Sequence, residues 1–212
     1  KTGQVLYALP IPHYFLPTPE NPRQGIQQNR GFESLSLSSP NKDYLYTANE
    51  SPLIQDLSDP SNASSGPIRI LKFSLKNTDS PTEQRAYFPD QDAIFTSVPD
   101  LLCYYDSLLL VLERQILWPI EPRKRRIRIY SVDFSQPDAT EIRNLDSLSG
   151  KKYTPLSKTL IFDSQLSNLL NVENFEGISW GPTWNNKPSL ILVSDDNFSK
   201  SQKTEFLFLV PK

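Results

Sequence analysis

Residues 108–114 read LLLVLER, a short apolar run that ends in a carboxylate and a guanidinium. The same pattern, a strand-like run that ends in an acidic residue, occurs twice more, as YLYTANE at residues 44–50 and as LILVSDDN at residues 190–197. A polar turn separates each run from an earlier strand-like segment that begins near an acidic residue, namely Glu33, Asp100 or Glu176. Internal repeats of this kind indicate stacked structural units. We therefore expect three β units that share a polar centre.

Each unit continues into further strand-like segments. Third strands are predicted at residues 68–75, 127–134 and 204–210, and fourth strands at 83–88 and 157–162. Four-stranded sheets repeated around an axis form a β-propeller. We predict an all-β propeller that is half of a six-bladed ring, with three blades near residues 31–88, 98–163 and 174–210.

The N-terminal segment predicts that the chain is preceded by another blade. Residues 3–9 read GQVLYAL and predict a strand that belongs to a preceding blade. The chain contains no methionine, so we expect a processed piece of a longer protein. Closing the ring would then require a missing N-terminal half or a second copy. Three segments rich in Pro, Ser, Asn or charge are predicted to be loops, at residues 51–67, 115–126 and 136–155.

The composition and charge of the chain argue against some kinds of binding partner. The chain has 212 residues, 37% of them hydrophobic, and a formal net charge of −2. Such a charge provides no field that would attract nucleic acid. No apolar run approaches the length of about 18 residues that a membrane span needs, so we expect no membrane insertion. The only cysteine, Cys103, lies in an apolar strand and is predicted to be a buried thiol.

The acidic ends of the repeats predict a cation site. In each predicted hairpin one carboxylate opens the first strand and another closes the second, so both would lie at the same end of the blade. Clustered carboxylates repel one another unless a cation neutralises them, and hard oxygen ligands suit Ca²⁺. Amide oxygens of Asn49, Asn174 and Asn197 could complete the set. Alternatively, the carboxylates cap turns and form ion pairs with Arg30 and Arg114.

The sequence argues against a serine hydrolase. It contains no Gly-x-Ser-x-Gly motif, and its only histidine, His13, lies in a Pro-rich segment. Hydrolysis by a metal-activated water is the chemistry that the acidic residues favour. The densest basic run is RKRR at residues 123–126, with Arg128 beyond it. This run either holds the anionic groups of a substrate or forms a solvated loop.

Four motifs together resemble a known family. They are RGFESLSL at residues 30–37, LVLER at 110–114, NFEGI at 174–178 and LVSDDNF at 192–198. In this order they are similar to the phytase-like propeller family, whose members carry the description "esterase-like activity of phytase". The resemblance implies that residues 1–212 are the C-terminal part of a propeller domain. It also implies export from the cytoplasm, to the periplasm or the outside of the cell.

From residues and resemblance together, we expect a hydrolase of phosphate or carboxylic esters that uses a divalent cation, Ca²⁺, at an acidic channel mouth. One of the carboxylates would serve as the general base. The alternative is a non-catalytic binding propeller that holds a structural calcium. The predicted site comprises catalytic Glu33, Glu113, Arg114 and Glu176, substrate-binding Arg30, Arg123 and Arg125, and metal-binding Glu50, Asp195 and Asn197.

Overall fold

The protein is an all-β structure of three antiparallel sheets. The computed structural model describes residues 3–5, 8–77, 79–118, 124–169 and 172–211. Sheet one consists of β1 (Ser36–Leu37), β2 (Tyr44–Ala48), β3 (Ile68–Ser74) and β4 (Glu83–Tyr87). Sheet two consists of β5 (Phe95–Tyr105), β6 (Leu108–Trp118), β7 (Lys124–Asp133) and β8 (Lys158–Asp163). Sheet three consists of β9 (Phe175–Trp180), β10 (Leu190–Ser194) and β11 (Phe206–Leu209).

In each sheet the strands follow one another in chain order, as in a propeller blade. The predicted three units are therefore confirmed as sheets, with four, four and three strands. The described sheets do not close into a ring, and the half-propeller stays a prediction. Helical structure in the described residues is confined to two short 3₁₀ turns, His13–Phe15 and Ile54–Asp56. None of the described helices has the length and hydropathy needed to cross a bilayer.

The hairpin turns use residues that tolerate a left-handed backbone. Asp106, between β5 and β6, has a φ of +47°, and Asn185 and Asn186, between β9 and β10, have φ values of +47° and +61°. Asn and Asp adopt this conformation more readily than other non-glycine residues. The turns that the sequence predicted at these positions are thus confirmed.

β6 lies at the centre of the molecule and packs on both sides. Successive side chains of a strand point to opposite faces of the sheet. Leu109 and Val111 accordingly join a core with sheet one, whereas Leu110 and Leu112 join a core with sheet three. Cys103 is buried in the first of these cores, as predicted. An apolar run without alternation is the pattern expected of such a two-sided strand.

The N-terminal residues take a different position from the predicted one. The described positions of the segment 3–9 form no strand, while Leu6 and Tyr7 lie outside the described residues. A strand needs a neighbour whose backbone can pair with it. The following residues cover the outer face of sheet one instead, where Tyr14 and Phe15 pack against Leu45 and Phe73.

One further expectation requires correction. The segment 115–126 is largely a long hairpin, because backbone pairing continues through Ile116 and Arg125. The tryptophans are largely exposed. Trp118 and Trp184 are exposed by 52% and 55%. Both lie beyond the two cores, at a hairpin end and in a turn respectively.

Candidate functional site

A large open cavity lies where the three sheets meet. Its volume is about 1210 Å³. Sheets two and three contribute side chains to it, and so do the loops that flank all three sheets. The charged and amide residues of its wall include Arg30, Glu33, Glu50, Arg114, Asn174, Glu176, Asp195 and Asn197. The structure thus brings together seven of the ten residues that the sequence predicts for the site, and Asn174 with them.

Strand register explains why these residues meet. One cross-strand pair adjoins the cavity in each unit: Phe32 with Asn49, in a bridge just outside sheet one, Ser97 with Arg114, and Phe175 with Ser194. In the first strand of these pairs, the next residue along the chain is Glu33, Val98 and Glu176, respectively. In the second strand of these pairs, the next residue is Glu50, Gln115 and Asp195, respectively. Sheets one and three therefore carry acidic residues at equivalent positions, and sheet two does not.

A β-bulge in β5 displaces the acidic residue of sheet two. Ser97 pairs with Arg114 but Asp100 pairs with Leu112, so β5 has one residue more than β6 between these pairs. Asp100 lies away from the cavity as a result. Its carboxylate accepts hydrogen bonds from the backbone N–H groups of Leu101 and Ile178, both at 2.8 Å. Burial raises the pKa of Asp100 to about 6.

Glu113 also lies outside the cavity, contrary to the position predicted for it. It precedes Arg114 on β6, so the two side chains point to opposite faces of sheet two. Glu113 is fully buried and accepts hydrogen bonds from Lys158 Nζ at 2.6 Å, from the hydroxyl of Tyr87 and from the backbone of Asp90. Burial raises the pKa of its carboxyl, against the opposing effect of Lys158. We call these four residues the Lys158 cluster.

Arg114 is the central cation of the cavity. Its Nη2 donates to Glu50 at 2.7 Å, and its Nη1 donates to Asn174 at 2.9 Å and to Glu176. Asn174 also donates to the same oxygen of Glu176 at 2.7 Å. A guanidinium is a rigid fork of donors, so one arginine from sheet two ties sheet one to sheet three. We call these four residues the ionic cluster.

Glu33 stands beside the ionic cluster with a perturbed acidity. Removal from bulk water, followed by repulsion from Glu50 and Glu176, raises the pKa of Glu33 to about 7. Arg114 and Arg30 act in the opposite direction, but more weakly. A carboxyl group with a pKa near neutrality exchanges a proton readily at physiological pH.

Arg30 is more accessible than Arg114. Its guanidinium carbon lies 4.1 Å from the ring centroid of Phe95, in cation–π geometry. Among the described contacts, its guanidinium makes one hydrogen bond, from Nη1 to Ser51 Oγ at 3.4 Å. The remaining donors of Arg30 are therefore free to meet an anionic atom in the cavity.

The loop after β10 supplies Asp195 and Asn197, both exposed in the cavity wall. The Asp195 carboxylate accepts the backbone N–H of Asn197 at 3.0 Å, and Asn197 adopts a φ of +50°. The next residue, Phe198, also has a left-handed backbone, with a φ of +53°. The loop is therefore organised by its own hydrogen bonds.

The donor set does not fit a calcium ion as it stands. Within the described residues, no group of three or more His, Cys, Asp and Glu side chains is placed to hold a metal. Glu50 and Glu176 direct oxygens to Arg114, so the guanidinium neutralises the charge that a cation was expected to neutralise. The calcium site stays a prediction.

The basic run contributes nothing to the cavity wall among the described residues. Arg123 lies outside the described part of the chain, and Arg125 is buried within β7, away from the cavity. Arg126 donates to Asp163 at 3.1 Å, and Arg128 donates to Asp92 at 2.8 Å. Acidic partners therefore neutralise these two arginines.

His13 lies on the surface, 3.3 Å from a carboxylate oxygen of Asp146. It is not part of the cavity wall. This position agrees with the sequence argument against a serine hydrolase built on this histidine.

Sequence reasoning missed the apolar part of the cavity wall. Ile94, Phe95 and Ile116 line it, although Ile116 falls in a segment predicted to be a loop. The alternation of residues 110, 112, 114 and 116 on one face of β6 was the signal that could have identified it.

The sequence matches the family described as "Phytase-like: Esterase-like activity of phytase" over residues 1–198. The chain belongs to the phytase-like family. This membership supports a hydrolase-type function, as the description of the family implies. A comparison with curated proteins found no match to this phytase-like chain.

Proposed function

We propose that the protein hydrolyses esters in the cavity, with Glu33 as the general base. The observation that carries this proposal is the position of Glu33, which lies in an open cavity beside two carboxylates and two guanidinium groups. Because it is partly removed from water and is repelled by the two carboxylates, Glu33 holds a proton more tightly than an ordinary glutamate.

In the proposed reaction, Glu33 removes a proton from water while the water oxygen forms a bond to the carbonyl carbon or phosphorus of the ester. The bond to the leaving alcohol oxygen then breaks, and the proton on Glu33 passes to that oxygen. Arg30 stabilises the negative charge that develops on the substrate, because its donors face the cavity and are nearly unpaired in the described contacts.

Arg114 acts as a positioning residue in this mechanism. Its donors are already bound to Glu50, Asn174 and Glu176. By holding Glu50 and Glu176 near Glu33, it maintains the repulsion that, added to the partial removal of Glu33 from water, makes Glu33 basic enough to accept a proton.

The test is turnover of para-nitrophenyl acetate and para-nitrophenyl phosphate by wild-type protein and by Glu33→Gln. Loss of a general base costs about 10²–10⁴-fold in rate, so we expect kcat/KM to fall at least about 100-fold in the variant. Glu20→Gln, a matched change at an exposed position outside the cavity wall, serves as the control and should retain full activity.

Equal activity of wild-type protein and Glu33→Gln would contradict the assignment of the base. If wild-type protein turns over neither ester, the hydrolase proposal fails. The non-catalytic binding module then becomes the better reading of the cavity.

We also infer that the protein works outside the cytoplasm and that a further half or a second copy completes its ring of sheets. The family resemblance supports both proposals. Cell fractionation tests the first. Light scattering of the chain alone and with its flanking sequence tests the second.

A further inference from the structure

The charge of the cavity limits the kind of substrate it can hold. Its described lining contains four carboxylates, from Glu33, Glu50, Glu176 and Asp195, against two guanidinium groups. The formal charge of these groups is −2 when all are ionised. A phosphate monoester carries up to two negative charges of its own and would be repelled. An uncharged ester meets no such barrier.

One part of the wall is apolar. Phe95 and Ile116 stand directly opposite each other in the pairing of β5 with β6, on the same face as Arg114. Ile94 adjoins them, with its backbone N–H donating to the carbonyl of Ile116 at 3.1 Å, and is exposed by 52%. We call Ile94, Phe95 and Ile116 the apolar strip.

The apolar strip and the accessible cation are contiguous. The Arg30 guanidinium lies over the Phe95 ring, 4.1 Å from its centroid. An ester oxygen that accepts a hydrogen bond from Arg30 therefore lies at the edge of the strip. A chain extending from that ester can cover Phe95 and Ile116 and remove their apolar surface from water.

We propose that the substrate is an uncharged carboxylic ester whose apolar group binds on the apolar strip. The inference rests on the proposed hydrolase function and adds the substrate class. Water adds to the carbonyl carbon, the acyl–oxygen bond breaks, and the products are a carboxylic acid and an alcohol. The apolar group belongs to the acyl side or the alcohol side of the ester.

Two substrate series test this proposal with wild-type protein. The acyl series is para-nitrophenyl acetate, butyrate and octanoate, and the alcohol series is ethyl, butyl and octyl acetate, with para-nitrophenyl phosphate as the charged comparison. Each buried methylene contributes roughly 0.8 kcal/mol, so we expect kcat/KM to rise at least about tenfold along one of the two series. That series identifies the side that binds on the strip. The phosphate should be the poorest substrate.

Ile116→Asn tests the strip directly, and Ile161→Asn is the matched control. Ile161 is likewise an isoleucine of sheet two, exposed where Ile116 is half-buried, and it lies on β8 outside the cavity wall. We expect Ile116→Asn to reduce the ratio of long-chain to short-chain kcat/KM at least about fivefold, and Ile161→Asn to leave it unchanged. Urea unfolding of both variants shows whether they remain folded.

The outcomes separate this inference from the proposed function. Turnover without any dependence on chain length, or preference for the phosphate, overturns the inference while ester hydrolysis stands. If no ester is turned over, binding of N-octylacetamide, N-(para-nitrophenyl)octanamide and their short-chain counterparts is measured by calorimetry. A long-chain amide that binds at least about tenfold more tightly than its counterpart supports the strip. Equal affinities in both amide series overturn it.

Discussion

At the scale of single residues, Glu33 and Glu113 show how environment divides carboxylates between roles. Glu33 lines an open cavity, where partial removal from water and then repulsion by like charges raise its pKa to about 7. Glu113 is enclosed by Lys158, Tyr87 and the Asp90 backbone, which use both of its oxygens. A carboxylate with all its partners inside the protein has a structural role, whereas one facing solvent and like charge can act on a substrate.

The raised pKa of Glu33 predicts the pH dependence of activity. A general base acts only when deprotonated, so activity is present above the pKa and is lost as the pH falls through about 7. We expect kcat/KM for para-nitrophenyl acetate to reach a plateau above this pH and to fall about tenfold per pH unit below it. A profile that stays flat between pH 5 and 9, after correction for spontaneous hydrolysis, would contradict the role of Glu33.

The buried contacts of Glu113 predict that its replacement lowers stability and does not directly remove a catalytic group. Glu113→Ala leaves Lys158 without one of its two acidic partners and leaves the Tyr87 hydroxyl without an acceptor. Breaking a buried ion pair from one side costs about 3–5 kcal/mol. We expect urea unfolding to show a loss of this order, with Glu205→Ala, an exposed change, as the control. A Glu113→Ala protein that stays stable but loses activity would support the catalytic role that the sequence predicted for Glu113.

At the scale of elements, β6 determines the arrangement of the site. Its odd-numbered residues 109 and 111 pack on sheet one, and residue 113 lies in the Lys158 cluster. Its even-numbered residues 110 and 112 pack on sheet three, and residues 114 and 116 lie in the cavity wall. A single strand therefore supplies two cores, a buried ion pair and the central cation of the candidate site.

The bulge in β5 predicts a pH-dependent packing of β5 against β9. The pKa of Asp100 in the folded protein is about 6, above its ordinary value of 3.8, so folding favours the protonated carboxyl. Its contribution to stability is present below about pH 4 and is lost as the pH rises through about 6. Relative to Asp100→Asn, wild-type protein should lose about 2 kcal/mol of unfolding free energy between pH 4 and pH 7. If the unfolding free energies of the two proteins, measured by urea titration, changed equally with pH, the pKa of Asp100 would not be raised in the folded protein.

At the scale of the whole molecule, one arginine joins the three sheets where a calcium ion was expected. Arg114, on the central sheet, binds Glu50 of the first and Glu176 of the third. A second buried pair, Arg69 with Asp56 at 2.7 Å, lies in the first unit, and Arg69 joins it to the loop between β7 and β8 of sheet two by donating to the carbonyl of Leu145. Arginine therefore joins the sheets at two separate places.

This arrangement predicts the response to calcium. An ion present at 100 times its Kd would stabilise the fold by about 2.7 kcal/mol, which would raise the Tm of a protein this size by roughly 5–10 °C. We expect calorimetric scans with millimolar calcium and with a chelator to give the same Tm, and ester hydrolysis to be equal in both. A rise of several degrees that disappears in an Asp195→Asn variant would establish the predicted calcium site instead.

The sequence by itself determined the number and type of the units. The repeated runs at residues 44–50, 108–114 and 190–197 predicted three antiparallel sheets, and the polar residues between them predicted the hairpin turns. These features depend on local pattern and turn chemistry, which act over a few residues. Most of the charged residues of the cavity could be predicted in the same way, because both ends of a hairpin strand pair lie together.

The tertiary structure alone decided which residues meet. The repeat placed Asp100 and Glu113 in the acidic centre, but one extra residue in β5 and the two-residue period of β6 turned both away from it. Arg114 occupies the centre instead, and Ile116 of the apolar strip lies where a loop was expected. A bulge and a strand register depend on contacts between distant segments, so the sequence pattern of one segment does not contain them.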